Sequence, residues 1–178
     1  MGPSDRRALG GAFVPEERLG HAAVPDFSLI DNTLLSNLGT VGFQNRGLIN
    51  WQRTREHAQE VCDGYDVRHA GITGRAGSLS GGNLQKFIVG RELIKQPDVL
   101  VVNQPTWGVD ASAAADVRQA LLDLAKNGAA LIVISQDLDE LMEISDRFAA
   151  LNEGRLTAPR LAQGITVEEI GLMMGGAH

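Results

Sequence analysis

Val99-Leu100-Val101-Val102-Asn103-Gln104-Pro105-Thr106-Trp107-Gly108-Val109-Asp110 is the stretch whose reading decides the fold. Its first four residues are apolar and mostly β-branched with no polar alternation, the mark of a buried strand in a parallel sheet. Two amides, a proline and a glycine then turn the chain. Asp110 stands where a helix needs its cap, ahead of Val117, Ala120, Leu121 and Leu124 on one helical face. Asn127-Gly128 supplies a left-handed stop, and Leu131–Ile134 is the next strand, ending in Ser135-Gln136-Asp137. Strand, helix, strand in this rhythm predicts a parallel α/β sheet. Ligands of such sheets bind beyond the carboxyl ends of the strands, so residues 103–110 and 135–137 are expected to converge on one edge.

Upstream, Leu79-Ser80-Gly81-Gly82-Asn83 puts a hydroxyl and two glycines at the start of a helix running towards Lys95, with Leu84, Phe87 and Ile88 as its inner face. Free N–H groups and the positive end of the helix dipole make such a terminus suitable for phosphate oxygens, and glycine lets an anion approach the backbone. By itself the stretch reads equally as a plain helix cap. Gly11–Pro15 is a short strand stopped by proline. Ser28-Leu29-Ile30-Asp31 opens a helix over about 29–38 by a capping box, Gly39–Asn50 reads as a loop, and a helix from Trp51 buries Trp51, Ala58, Val61 and Cys62. Cys62 is core filling rather than a reactive thiol. Downstream, Asp137 and Asp139 cap and solvate a short helix. Phe148–Leu151 is a third strand, and Thr166-Val167-Glu168-Glu169 caps a last helix with Ile170 and Met174.

The 178 residues are about one domain in length. Their balance of 16 Lys+Arg against 22 Asp+Glu, net −6, argues against general affinity for nucleic acid or anionic lipid. No run approaches the ~18 apolar residues of a membrane span, and Met1–Arg7 has charges but no apolar segment after it, unlike a secretory signal. A lone cysteine excludes an internal disulfide. With His21, His57, His69 and His178 scattered, no zinc spacing exists, and a reducing, intracellular setting fits. The 21 glycines, many for this length, call for open backbone rather than bulk.

Taken in order, these pieces resemble the nucleotide-binding domain of ATP-binding cassette (ABC) transporters. The likeness rests on the signature-like loop Leu79–Asn83 with Gln85-Lys86 behind it and the Walker B strand Val99–Gln104. It rests also on the Pro105–Asp110 turn with Asp110 as the D-loop aspartate, the switch position Gln136, and Asp146-Arg147 with Glu153-Gly154-Arg155. It is strongest to the second cassette of the two-cassette ATPases of sugar and nucleoside importers, where a strand reads like Phe13-Val14-Pro15-Glu16-Glu17-Arg18. Glu16 would then take the Q-loop place. The resemblance implies an α/β fold: part of an ABC-type P-loop NTPase core of parallel strands with flanking helices, plus a helical signature subdomain. It divides 1–178 into 1–25 (strand and Q-loop region), 26–97 (helical subdomain) and 98–178 (Walker B to the C-terminal part of the core).

The departures narrow this. A hydrolysing cassette needs a Gly-rich loop ending Gly-Lys-Ser/Thr, and none of the three lysines, Lys86, Lys95 and Lys126, follows a glycine. The content is expected to match the C-terminal part of a longer product. Where active relatives carry Asp-Glu, for Mg²⁺ and for the attacking water, this chain carries Asn103 and Gln104, and Gln136 replaces the switch histidine. Amides offer Mg²⁺ a neutral oxygen and lack basicity. A catalytically degenerate half is expected, with no intact catalytic residue and no metal site of its own. ATP and Mg²⁺ would enter only in a complete dimeric assembly.

By the same resemblance, Ser80, Gly81, Gly82, Asn83 and Gln85 would serve a partner cassette's nucleotide in trans and Asp110 would help fix the dimer seam. The partners would be another cassette, permease subunits and, indirectly, a solute-binding protein, with no nucleic acid. The location would be cytoplasmic, peripheral to the inner face of the membrane. A rival reading is a non-catalytic docking or regulatory module for a permease or partner ATPase. A chromosome-maintenance ATPase is disfavoured by the negative charge and the absence of heptads. Without the phosphate-loop strand and its helix the sheet would expose apolar surface, from which self-association is expected. Trp107 stays open between partner contact and ordinary packing, and Arg18 between a cation near a ligand and a loop charge.

Overall fold

The computed structural model describes residues 1–40 and 42–176; His178, counted among the histidines, lies outside them. In chain order the elements are α1 (Pro3–Ala8), β1 (Gly11–Val14), α2 (Leu29–Asn37), β2 (Gln44–Asn45), β3 (Leu48–Ile49), α3 (Trp51–Gly64), α4 (Gly81–Leu93) and β4 (Val99–Asn103). They continue with α5 (Ala111–Lys126), β5 (Ala130–Ile134), α6 (Leu138–Ile144), β6 (Arg147–Phe148), β7 (Leu151–Asn152), β8 (Arg155–Leu156), β9 (Arg160–Leu161) and α7 (Val167–Met174). The chain forms two compact units, Met1–Gln136 and the residues from Asp137 onward.

In the first unit β1, β4 and β5 make one parallel sheet in the order β1-β4-β5. Gly11 pairs with Val99, Val14 with Val102, and Asn103 with Ile134. The fold is therefore α/β, a parallel sheet with flanking helices. Alternation makes the sheet two-faced. Val14, Leu100 and Val102 are buried, whereas Phe13, Ile132 and Ile134 are 56%, 56% and 48% exposed. The strand at 99–102 is thus buried on one face only, with Val99 itself exposed.

Helix α4 organises the interior. Nine of its residues, from Leu84 to Leu93, are buried, three of them the predicted Leu84, Phe87 and Ile88. At Gly90 a Cβ would come within 2.4 Å of the Tyr65 ring, so only glycine admits the end of α3 there. The buried polar residues of α4 are fully engaged. Arg91 donates through Nε to Glu92 at 2.9 Å, through Nη1 to the Asn32 carbonyl at 3.2 Å and through Nη2 to the Ala22 carbonyl at 2.9 Å. Glu92 also accepts from Ser36 Oγ and Lys95 Nζ. Burial opposes the Glu92 charge, but Arg91 and Lys95 outweigh it and hold the carboxyl below its usual range.

The caps read from sequence are present. Ser28 Oγ accepts from the Asp31 N–H at 3.0 Å, Asp110 from Ala113 at 3.0 Å, and Thr166 and Glu169 close a capping box on α7. Four readings change. Trp51, the first residue of α3, is exposed rather than buried although it shares a helical face with Thr54 and Ala58; Thr54, His57, Ala58, Val61 and Cys62 are buried. The 39–50 loop contains the β2–β3 hairpin, whose turn places Arg46 and Gly47 at φ 49° and 81°. The strand expected at 148–151 is broken in two: β6 pairs with β9 and β7 with β8, all antiparallel and none in the main sheet. Helix α1 was not anticipated; Pro3 at its start and Asp5 on the Gly2 N–H support it. In the second unit Phe148, Ala150, Ile165, Ile170 and Met173 form the core. Burial pushes the Cys62 thiol up to about 11, so it is protonated and inert, as its core position implies.

His57 is 6% exposed with its ring edge-on to Phe43. Its Nδ1 lies 3.1 Å from Glu60, and its Nε2 has no partner among the described residues. Burial lowers its pKa more than Glu60 raises it, and Arg53 and Lys95 act in the same direction as burial. With the folded pKa below the unfolded value of about 6.5, the His57 contribution to stability is complete above that value and is lost as pH falls below it. The urea midpoint is expected to be flat from about pH 8 to 7 and to fall from about pH 6.5 to 5, with the slope reduced in His57→Gln. The open sheet face exposes Phe13, Ile132 and Ile134 to solvent. Light scattering should show concentration-dependent self-association that Phe13→Ser with Ile132→Thr weakens; a clean monomer at high concentration would contradict this.

Candidate functional site

Ser80 caps α4 in extended conformation, φ −63° and ψ 156°. Its Oγ accepts from Asn83 Nδ2 at 2.8 Å and from the Asn83 N–H at 3.5 Å. Both contacts use the oxygen as acceptor, which leaves the hydroxyl hydrogen to donate outward. Asn83 Oδ1 accepts from the Arg68 N–H at 2.8 Å, so this side chain is a brace for the loop. The N–H groups of Gly81 and Gly82 belong to the first helical turn, where no intrahelical acceptor exists. Exposed Gly81 and half-buried Gly82 present this turn at the surface.

Gln85 is placed differently from its loop neighbours. It is 2% exposed, and its Nε2 donates to the carbonyls of Gln104 and Pro105 at 3.1 and 2.9 Å. Its carboxamide thus fixes the turn after β4 against α4. On the sheet edge, β1 delivers Glu16 and β4 delivers Asn103, whose Nδ2 lies 3.5 Å from Glu16 Oε2. Gln104 follows at φ 52°, nearly buried, with its N–H on the Ile134 carbonyl at 2.8 Å. Gln136 leaves the end of β5 exposed. The expected convergence of residues 103–110 with the end of β5 is therefore met through the β4–β5 register. Asp110 is taken up by the cap of α5, and the Ala113 N–H lowers its pKa.

The residue that sequence left undecided, Arg18, joins these loops. Its Nη1 donates to the Gly81 carbonyl at 2.8 Å. A cleft of about 680 Å³ opens beside it, lined by Phe13, Glu16, His21, Asn103 and the 64%-exposed Trp107. No local pattern marks Arg18, because its partner lies 63 residues away in sequence. Among the described residues no group of three or more His, Cys, Asp or Glu forms a metal-ligand cluster.

This arrangement is that of an ATP-binding cassette. A cassette solved as a dimer in a post-hydrolysis state bound to ADP and Pi superposes with TM-score 0.74 at 21% identity, covering 91% of this chain and 66% of that one. An ATP-binding subunit of an ABC transporter gives TM-score 0.74 at 16% identity, covering 98% and 71%. In sequence the chain is 37% identical over 169 residues to a glucose import ATP-binding protein of Haloferax volcanii, covering 94% of this chain and 31% of that protein. It is 34% identical to a nucleoside import ATP-binding protein of Lactococcus lactis and 36% to a guanosine import ATP-binding protein of Bacillus subtilis, covering 93% and 94% of this chain and 33% of each relative. The chain is thus a homologue of ATP-binding proteins named for sugar and nucleoside import, and its fold is that of ABC cassettes. It spans about a third of the length of these relatives. No protein-family model matches it.

Removing the Gln85 amide strands two buried carbonyls. Gln85→Ala is expected to cost about 2 kcal/mol of unfolding free energy, read by urea denaturation, with the far-UV spectrum unchanged.

Proposed function

We propose that the chain is the cassette portion of an importer ATPase for sugars or nucleosides that supplies its signature loop to a partner's ATP rather than hydrolysing ATP itself. The observation that carries this is the cap of α4: a Ser80 hydroxyl free to donate beside the open first turn at Gly81 and Gly82. A helix start of this kind favours a γ-phosphate through its N–H groups and dipole, by about 0.3–2 kcal/mol. Asn83 braces the loop, and Asp110 holds the turn that borders it.

The residues at the strand ends support this donor role. The amide pair does not fit hydrated Mg²⁺: Asn103 turns its N–H towards Glu16, and the Gln104 side chain is nearly buried. No Gly-Lys pair occurs in the 178 residues. Glu16, at the Q-loop position, is the candidate link to permease subunits, with a solute-binding protein reached indirectly. On this reading residues 26–97 are the helical subdomain and 98–178 core, and the chain sits peripherally on the cytoplasmic side. Among the described residues no helix is long and apolar enough to cross a membrane.

The test uses a sugar-importer cassette with an intact phosphate loop. Adding this chain should raise its ATP turnover, and Ser80→Phe should reduce that stimulation at least about tenfold, the scale of one lost charge-assisted contact in a closed site. Stimulation that survives Ser80→Phe assigns the chain to docking or regulation instead. Mg²⁺-dependent turnover by the chain alone would overturn both.

A further inference from the structure

We propose that Arg18 is a positioning residue that locks the Gly81–Gly82 loop against the turn preceding Asp110, coupling the segment after β1 to the loop; this rests on the reading of Ser80–Asn83 as a phosphate-facing loop. The geometry is specific. The guanidinium Nη1 holds the Gly81 carbonyl at 2.8 Å. A Cβ on Gly81 would lie 3.2 Å from Nη1, and one on Gly108 would lie 3.2 Å from Nη2 and 3.4 Å from Nη1. Both backbones thus close on one planar group at distances at which a side chain would crowd it. Gly108 is at φ +69°, where glycine is favoured, and a Cβ on Gly82 would stand 3.3 Å from its carbonyl, so the two loops also touch directly.

The far side of the clamp is anchored too. The Arg18 carbonyl accepts from the Ala23 N–H at 2.8 Å, and the Ala22 carbonyl accepts from buried Arg91. Glu16 lies two residues upstream, so a displacement of the segment after β1 is passed to Gly81 through one hydrogen bond. Helix-dipole electrostatics do not account for this placement. A cation at a helix N-terminus is disfavoured, so the contact is held by hydrogen-bond geometry, and it adds positive charge where a phosphate would approach. Lysine could reach the Gly81 carbonyl, but its ammonium cannot lie across both glycines.

Native-state amide exchange of the 178-residue chain is the first measurement. Arg18→Ala should speed exchange about fivefold in peptides covering 79–84 and 106–110, with α2 and α3 at wild-type rates and Arg18→Lys intermediate. Gly81→Ala should disturb the same peptides alone and add nothing in the Arg18→Ala background. Unchanged loops, a uniform rise across the chain, or additive effects would overturn the clamp. The second measurement is turnover of the phosphate-loop cassette stimulated by this chain: Arg18→Ala should lower kcat about fivefold with KM for ATP moved less than about twofold, and Arg18→Lys should recover part of it. If turnover responds to Ser80→Phe but neither turnover nor exchange responds to Arg18→Ala, the clamp alone fails. If exchange responds as stated while turnover ignores both substitutions, the phosphate-facing reading fails and the coupling role fails with it.

Discussion

A guanidinium taken out of water has to find acceptors on every side, and Arg91 meets this constraint by holding three parts of the first unit at once. It is 5% exposed and reaches Glu92 beside it, α2 through Asn32, and the loop after β1 through Ala22. Such a pair adds little net stability compared with apolar packing, because desolvation consumes most of the attraction. What it fixes is direction. Helix α4 can take only the axial position at which all these donors are satisfied, and that position sets where Ser80 emerges at one end of the helix.

From this fixed helix the site follows in order of distance. Gln85 pins the turn after β4, Asn83 braces the capping serine, and Arg18 reaches across from the loop that Arg91 also holds. The carboxyl edge of the sheet carries the amides Asn103, Gln104 and Gln136 beside the Glu16 carboxylate. The scaffolding that shapes the Ser80 loop is thus built separately from the strand ends, where the Glu16 carboxylate faces the Asn103 amide at 3.5 Å. The capping loop and the strand ends reside on different elements, α4 and the β4–β5 edge.

Sequence revealed what is decided locally. Ser28 with Asp31, Asp110 before its helix and Asn127-Gly128 after it are short-range hydrogen-bonding and dihedral signals, and each lies where it was read. The apolar runs at 99–102 and 131–134 gave the sheet. It was less informative where the deciding partner is remote. Gln85 looks like a surface amide until the carbonyls of Gln104 and Pro105 are brought over it. Arg18 looks like a loop charge until Gly81 arrives. Phe148–Leu151 reads as one strand because periodicity does not show that its two halves pair with different neighbours, Arg160–Leu161 and Arg155–Leu156. Trp51 differs for a simpler reason: helical spacing puts it on the face of Ala58, and spacing does not show that the buried part of that face begins only at Thr54.

The sheet register carries a further consequence, for the order of folding. Strands β4 and β5 are joined by a single helix, so their pairing closes a modest loop. Strand β1 meets β4 as Gly11 against Val99, and everything in α2, α3 and α4 lies between them. Closing that longer loop costs more chain entropy before any contact rewards it, which makes β1 the late arrival on a β4–α5–β5 nucleus. Glu16 and Arg18 follow β1 directly. The part of the site that joins the strand edge to the Gly81 loop is therefore the last to be assembled and, in local opening, the first to be released.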